Sequence, residues 1–191
     1  QVNNKDFGSV VEEKLAATGD DWKDVSLADA QDSMFNTDKA KAQFAKAKEE
    51  LQAQGVQFPI HIDYVVDQSS ASLVQQADSM KDSIEKTLGK ENVVVDVQKL
   101  STEDADNATY FAQSPDQKDF DMDIGGWGPD FQDPSTYLDI FNPTDGASLA
   151  GLGINPATDQ AVIEKLGLNE YKKLLDEANA EQLDTTARYE K

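Results

Sequence analysis

The chain has 191 residues, with 17 Lys and Arg against 37 Asp and Glu and one histidine, a formal net charge of −20 at neutral pH. So acidic a chain repels phosphate backbones and anionic lipid, which excludes sequence-independent binding to nucleic acid or to a membrane surface. Without cysteine it has no disulfide, thiolate metal site or thiol nucleophile, yet 38% apolar residues and clear periodic segments make it globular rather than a disordered acidic tail.

At about 100 to 200 residues per domain the length fits one domain with an appendage. The first 35 residues form an N-terminal helical segment, with helical signals over 10–17 and 27–34 joined by Gly19-Asp20-Asp21. From Asn36 the pattern sharpens. Thr37 can cap a helix whose apolar positions Ala40, Phe44, Ala47 and Leu51 share one face, and Gly55 ends it. Residues 59–66, rich in β-branched and aromatic side chains and bounded by turn formers, read as a strand. Ser69 or Ser70 then caps a helix carrying Leu73, Ala77, Met80, Ile84 and Leu88, closed by Gly89, and residues 93–98 read as a second strand. Strand, helix and strand over about forty residues make a βαβ unit with parallel strands.

A short helix over 102–113 leads to Ser114-Pro115. Residues 120–124 alternate apolar and acidic side chains with a period of two, the mark of a third strand with one buried face. The strand gives way to Gly125-Gly126-Trp127-Gly128-Pro129-Asp130, and Asp133-Pro134 starts a helix with Tyr137, Leu138 and Phe141 as its apolar stripe. A Gly-rich loop over 143–156 precedes two more helical segments, the stronger marked by Tyr171, Leu174, Leu175 and Ala178. The chain starts at Gln1 and stops at Lys191 inside a charged helical pattern, so it is expected to be a piece of a longer protein. No apolar run approaches the ~18 to 20 residues of a membrane span.

Three chemistries find candidate residues in the chain. Asp119, Asp121, Asp123 and Asp130 imitate a calcium loop, but Ile124 stands where its sharp turn needs glycine and Asp130 where the strong site needs glutamate. Solvated strand-face carboxylates account for the same spacing. A glycoside hydrolase would need a carboxylate pair, and among 37 acids any pair can be drawn. His61, the only imidazole, lies inside a strand pattern and reads as a satisfied strand histidine, with no Gly-x-Ser-x-Gly elbow to serve.

The segment 125–134 offers more. Two glycines after a strand let a foreign backbone approach, and Trp127 supplies an apolar plane. Asp130 sets a lone carboxylate near the carboxyl end of the sheet, where open α/β folds bind ligands. This suits an extended peptide, with main-chain hydrogen bonds, a platform and one acid for an ammonium. A tight turn with Trp127 in the core and Asp130 as a local cap explains the residues equally well.

The run 120–134, an "FDM, then G-W, then D-x-x-DP" pattern, resembles the signature of the oligopeptide-binding proteins of ABC importers, the bacterial extracellular solute-binding proteins of family 5. The helix start Asp38-Lys39-Ala40-Lys41-Ala42 and the βαβ unit follow in that family's order. The run 133–139 and the ending Arg188-Tyr189-Glu190-Lys191 look most like the streptococcal-type peptide-binding lipoproteins. The resemblance covers residues 36–191 and implies an α/β lobe, a mostly parallel sheet flanked by helices, as in one lobe of a type II periplasmic-binding-protein-like fold. It further implies a receptor of two lobes closing over an extended peptide, lipid-tethered outside the cell and delivering to a membrane permease, with no cofactor and no chemistry. Asp130 would receive the peptide α-ammonium and Gly126 and Trp127 would line the groove, within a peptide-binding set of Gly125, Gly126, Trp127, Gly128, Asp130 and Phe131. Pro129 has no amide hydrogen to give. The remaining lobe of the same chain would be a partner, and a calcium-binding module or a hydrolase fragment stays as the alternative.

Overall fold

A computed structural model describes residues 4–18, 35–112 and 114–191 of the protein. The expected helix over 27–34, the link at 19–21 and Gln113 lie outside the described residues. The chain divides into two compact units, Asp38–Lys172 and the pair of segments Gln1–Thr37 and Lys173–Lys191.

The larger unit is built on the βαβ motif. Strand β1 (Ile60–Asp67) and strand β2 (Val93–Leu100) are parallel, with Ile60 beside Val93 and Asp67 beside Leu100. Between them runs a helix of 18 residues, Ala71–Leu88. Ser70 caps it by accepting the Leu73 amide, and Gly89 ends it at φ +86°, a left-handed conformation that glycine adopts without a Cβ penalty. Its inner face brings Ala77, Leu73, Val74 and Ile84 onto Ile62, Tyr64, Val66, Val95 and Val97. Burying a valine such as Val66 or Val95 contributes about 1.5–3 kcal/mol. Met80, expected in the stripe, is exposed, while Glu85 is buried in its stead, because the helix turns its Val74 and Glu85 flank onto the sheet.

In chain order the helices are α1 (Phe7–Thr18), α2 (Thr37–Ala53), α3 (the Ala71–Leu88 helix), α4 (Thr102–Ala108), α5 (Ser135–Leu138), α6 (Gln160–Lys165), α7 (Leu168–Ala180) and α8 (Thr185–Glu190). Helix α2 takes Thr37 in as its first residue, where the sequence placed it as the cap, and its Phe44 meets Phe58 edge to face at 6.4 Å. Helix α4 packs on both strands but ends at Ala108, shorter than its sequence pattern. In the other unit, Lys5 pairs with Glu13 at 2.8 Å, and Asp184 caps α8 by accepting the Ala187 amide. Arg188 donates to Asn179 there.

Two expectations need correction. Residues 120–124 do not form a full third strand; they meet β1 through one parallel bridge, Tyr64 with Met122. The alternation is real, with Met122 and Ile124 packed on the core and Asp121 and Asp123 outside. The ladder stops because the Asp121 carboxylate, rather than main chain, takes the Asp63 amide at 2.9 Å, and among the described residues no strand holds the segment from its other side. The stripe of α5 is likewise not buried: Tyr137, Leu138 and Phe141 stay substantially exposed, and Thr136 turns inward. Four residues of helix are too few to lay a continuous face on anything.

The Gly-rich loop conceals a second small core, in which Leu149 and Ile154 pack on Ile163 of α6, with Leu168 beside them. Its tightest point is Gly146, where a Cβ would stand 2.5 Å from the Ile140 carbonyl oxygen and 2.7 Å from both the nitrogen and the oxygen of Asn142. All three are main-chain atoms held by the bonds Gly146 N–H to Asn142 and Ser148 N–H to Ile140. Gly146→Ala is therefore expected to cost about 1–3 kcal/mol, read as a lower urea midpoint at unchanged slope.

Candidate functional site

The site region grows from the sheet's third segment. Met122 accepts the Val65 amide at 3.0 Å and donates to Asp63 at 3.0 Å, which fixes the direction in which the chain leaves toward the carboxyl end of the strands. Met122 and Ile124 anchor it in the core. From residue 123 to 129 the main chain carries no regular structure and remains unpaired in any ladder. Here the glycines matter: a Cβ built on Gly125, Gly126 or Gly128 would meet nothing within 4 Å. Their lack of side chains is not required by local packing, and it leaves bare backbone open to solvent.

Trp127 is 41% exposed and Phe131 58% exposed, so two aromatic surfaces flank this backbone. The indole is not core, which sets aside that part of the tight-turn alternative. Asp130 is exposed and held from one side only. Its amide donates to Thr136 Oγ1 at 3.0 Å, and the Thr136 hydroxyl donates back to Asp130 Oδ2 at 3.3 Å. Oδ1 has no hydrogen-bond partner among the described residues. Thr136, 4% exposed, is what orients this carboxylate. The sequence pattern pointed to Asp133 and Tyr137 at this turn and missed it; a hydroxyl six residues after a lone acid, just past a proline, was the available signal. Asp133 does work locally, its Oδ1 accepting the Ser135 amide at 2.9 Å, although the first helical turn starts one residue later than expected.

The six expected residues, Gly125, Gly126, Trp127, Gly128, Asp130 and Phe131, thus lie on one continuous exposed segment. At the carboxyl ends of β1 and β2 stands a second carboxylate, Asp67. It accepts from the Ser69 amide (2.8 Å), the Ser69 hydroxyl (2.9 Å) and the Thr102 hydroxyl (3.1 Å). The Ser69 amide foremost holds its carboxyl below the usual range. Both oxygens being occupied, Asp67 is a strut between the strand ends, whereas Asp130 keeps an oxygen to offer. His61 sits in β1 with Nδ1 2.6 Å from Asp96 Oδ2 of β2, a cross-strand pair on the face away from α3.

Residues 4–148 match the family model described as "Bacterial extracellular solute-binding proteins, family 5 Middle". The chain belongs to this family. Among curated relatives it is 51% identical over 193 residues to the oligopeptide-binding protein AliA of Streptococcus pneumoniae and 50% identical over 192 residues to the oligopeptide-binding protein SarA of Streptococcus gordonii. Each alignment takes in 100% of this chain and 29% of the relative, so the chain spans less than a third of the length of either. Among solved structures, the substrate-binding domain of an oligopeptide ABC transporter from Bacillus anthracis superposes with a TM-score of 0.58 at 24% identity, covering 81% of this chain and 25% of that one. That likeness establishes the fold, an α/β arrangement with a parallel sheet flanked by helices. The family is one of solute-binding proteins and not of enzymes.

Proposed function

We propose that this chain is one lobe of the substrate-binding component of an ABC importer that captures extended oligopeptides outside the cell and passes them to a membrane permease. Residues 36–191 form the lobe, with the companion lobe and a lipid anchor supplied by further chain. The observation that carries the reading is the exposed run 125–131: bare glycine backbone beside Trp127, with Asp130 keeping one carboxylate oxygen free among the described residues. The glycines admit a peptide main chain close enough for hydrogen bonds, Trp127 and Phe131 give its side chains apolar surface, and Asp130 receives its α-ammonium. Such a site binds and performs no chemistry.

One lobe presents half a cleft, from which water is not excluded. Charge-assisted contacts gain their strength when sheltered, and closure supplies that shelter. The 191-residue chain alone is therefore expected to bind peptides no more tightly than about 1 mM, near 4 kcal/mol of binding free energy. Titrating an unlabelled peptide into the isotope-labelled chain, with shifts followed at residues 125–131, reads this directly. Micromolar binding would show that the companion lobe is not needed. A receptor carrying both lobes that binds no oligopeptide by calorimetry would remove the functional reading itself.

A further inference from the structure

In a parallel ladder alternate residues turn their main-chain groups to opposite sides. Asn92 and Leu100 accept the amides of Ile60 and Gln68 at 2.9 Å, so the even-numbered residues of β2 face β1 and Val93, Val95, Val97 and Lys99 face outward. The outer side of β1 is met by Asp121 and Met122, whereas β2 has no neighbouring strand among the described residues. A bare edge this rich in valine is a template for pairing.

Helix α3 covers part of it. The Val93 amide donates to the Gly89 carbonyl at 3.0 Å. The Val95 amide donates to Glu85 Oε1 at 3.1 Å, and the Val95 carbonyl accepts from Lys81 Nζ. Lys81 also reaches Glu85 Oε1 at 2.6 Å, and Lys90 holds Glu85 Oε2 at 3.0 Å. Three residues before Lys81, Asp78 takes Lys99 Nζ at 3.1 Å. Asp78, Lys81 and Glu85 share one helical face, which runs along the free edge.

We propose that this stripe is an edge lock: by occupying both outward main-chain groups of Val95, Lys81 and Glu85 keep β2 from pairing with β2 of a second copy of this chain. A second copy is the occupant that fits. Read from the sequence of β2, antiparallel pairing centred on Val97 would set Val95 against Lys99 and Asp96 against Gln98, so no like charges face each other and the contact closes on a two-fold axis. With the lock in place the sheet grows only on the β1 side, where the candidate peptide segment leaves. The inference stands apart from peptide binding, since its readout is association.

In the wild-type chain the Val95 amide is expected to exchange with solvent as slowly as those of Val94 and Asp96, while the outward Val97 amide exchanges at least ~100-fold faster. Lys81→Met with Glu85→Leu removes both occupants while keeping apolar bulk. At about 0.3 M salt, which screens the net charge, sedimentation should show this double variant dimerising at roughly tens of micromolar while wild type stays monomeric. Adding Val97→Pro, which deletes an outward donor but no bond to β1, should restore the monomer. A wild-type Val95 amide that exchanges as fast as Val97's overturns the lock. So does a folded double variant that remains monomeric, or a dimer indifferent to Val97→Pro. Should the double variant lose its fold, the wild-type exchange pattern decides alone.

Discussion

Asp130→Asn, made in a receptor carrying this lobe and its companion, is expected to weaken binding of peptides with free amino termini by roughly 10- to 100-fold while leaving N-acetylated peptides nearly unchanged. The size follows from one sheltered charge-assisted hydrogen bond, about 1.5–3 kcal/mol. The substitution is clean because of how the side chain is held. Thr136 donates to one carboxylate oxygen and accepts the Asp130 amide, and the carbonyl oxygen of asparagine can take over the first role while the second is main chain. The turn therefore stays, and what is lost is charge at the free oxygen. Calorimetry with a matched pair of free and acetylated peptides separates the two terms. Equal losses for both would mean that Asp130 shapes the groove without meeting the ammonium. Raising salt should narrow the difference between the pair only modestly, since a contact inside a closed cleft is screened far less than one at the surface.

The parts of the fold legible in the sequence are those set by local chemistry. Ser70 and Gly89 bracket α3 as their residue types dictate, and the valine-rich runs became β1 and β2 in parallel register. The third segment shows where local chemistry stops. Its period of two correctly sends Met122 and Ile124 inward, yet a ladder needs main-chain groups of both segments to meet, and periodicity cannot say that the Asp121 carboxylate takes the Asp63 amide instead. Trp127 was evenly poised between core and surface, since an indole suits both, and only the surrounding chain could place it outside. Thr136 passed unnoticed because a threonine in a first helical turn is ordinary until its hydroxyl is seen to aim at Asp130. Leu149 and Ile154 were masked by the glycines around them, which make a packed corner look like a loose loop. Lys81 and Glu85 are the clearest case: a lysine and a glutamate four apart on a helix read as a solvated pair, and only tertiary packing buries the glutamate against a strand edge.

That burial makes Glu85→Ala the substitution expected to cost most stability, with the melting temperature falling by roughly 5 to 10 °C. It strips the Val95 amide of its acceptor and leaves Lys81, half sunk beside β2, without its carboxylate. The pH dependence carries the same signature. Lys81's ammonium first, then Lys90's and the Val95 amide, hold the Glu85 carboxyl down at about 2, against an ordinary value of 4.5. A depressed carboxyl stabilises the fold fully above its unfolded value and loses that contribution as pH falls, so the loss runs from about pH 4.5 down to about 2. Lys90, raised by the same carboxylate, adds stability that persists below its ordinary 10.5 and fades only as pH climbs through its higher folded value. The pair therefore works across the whole neutral range. Many of the 37 acids also titrate on the acid limb, so the informative quantity is the difference between wild type and Glu85→Gln. Urea midpoints for the two should lie furthest apart above pH 5 and converge toward pH 2, because protonation makes wild type resemble the amide. Parallel curves over that range would mean that the Glu85 carboxyl titrates as if in water, and the closed edge of β2 would lose its anchor.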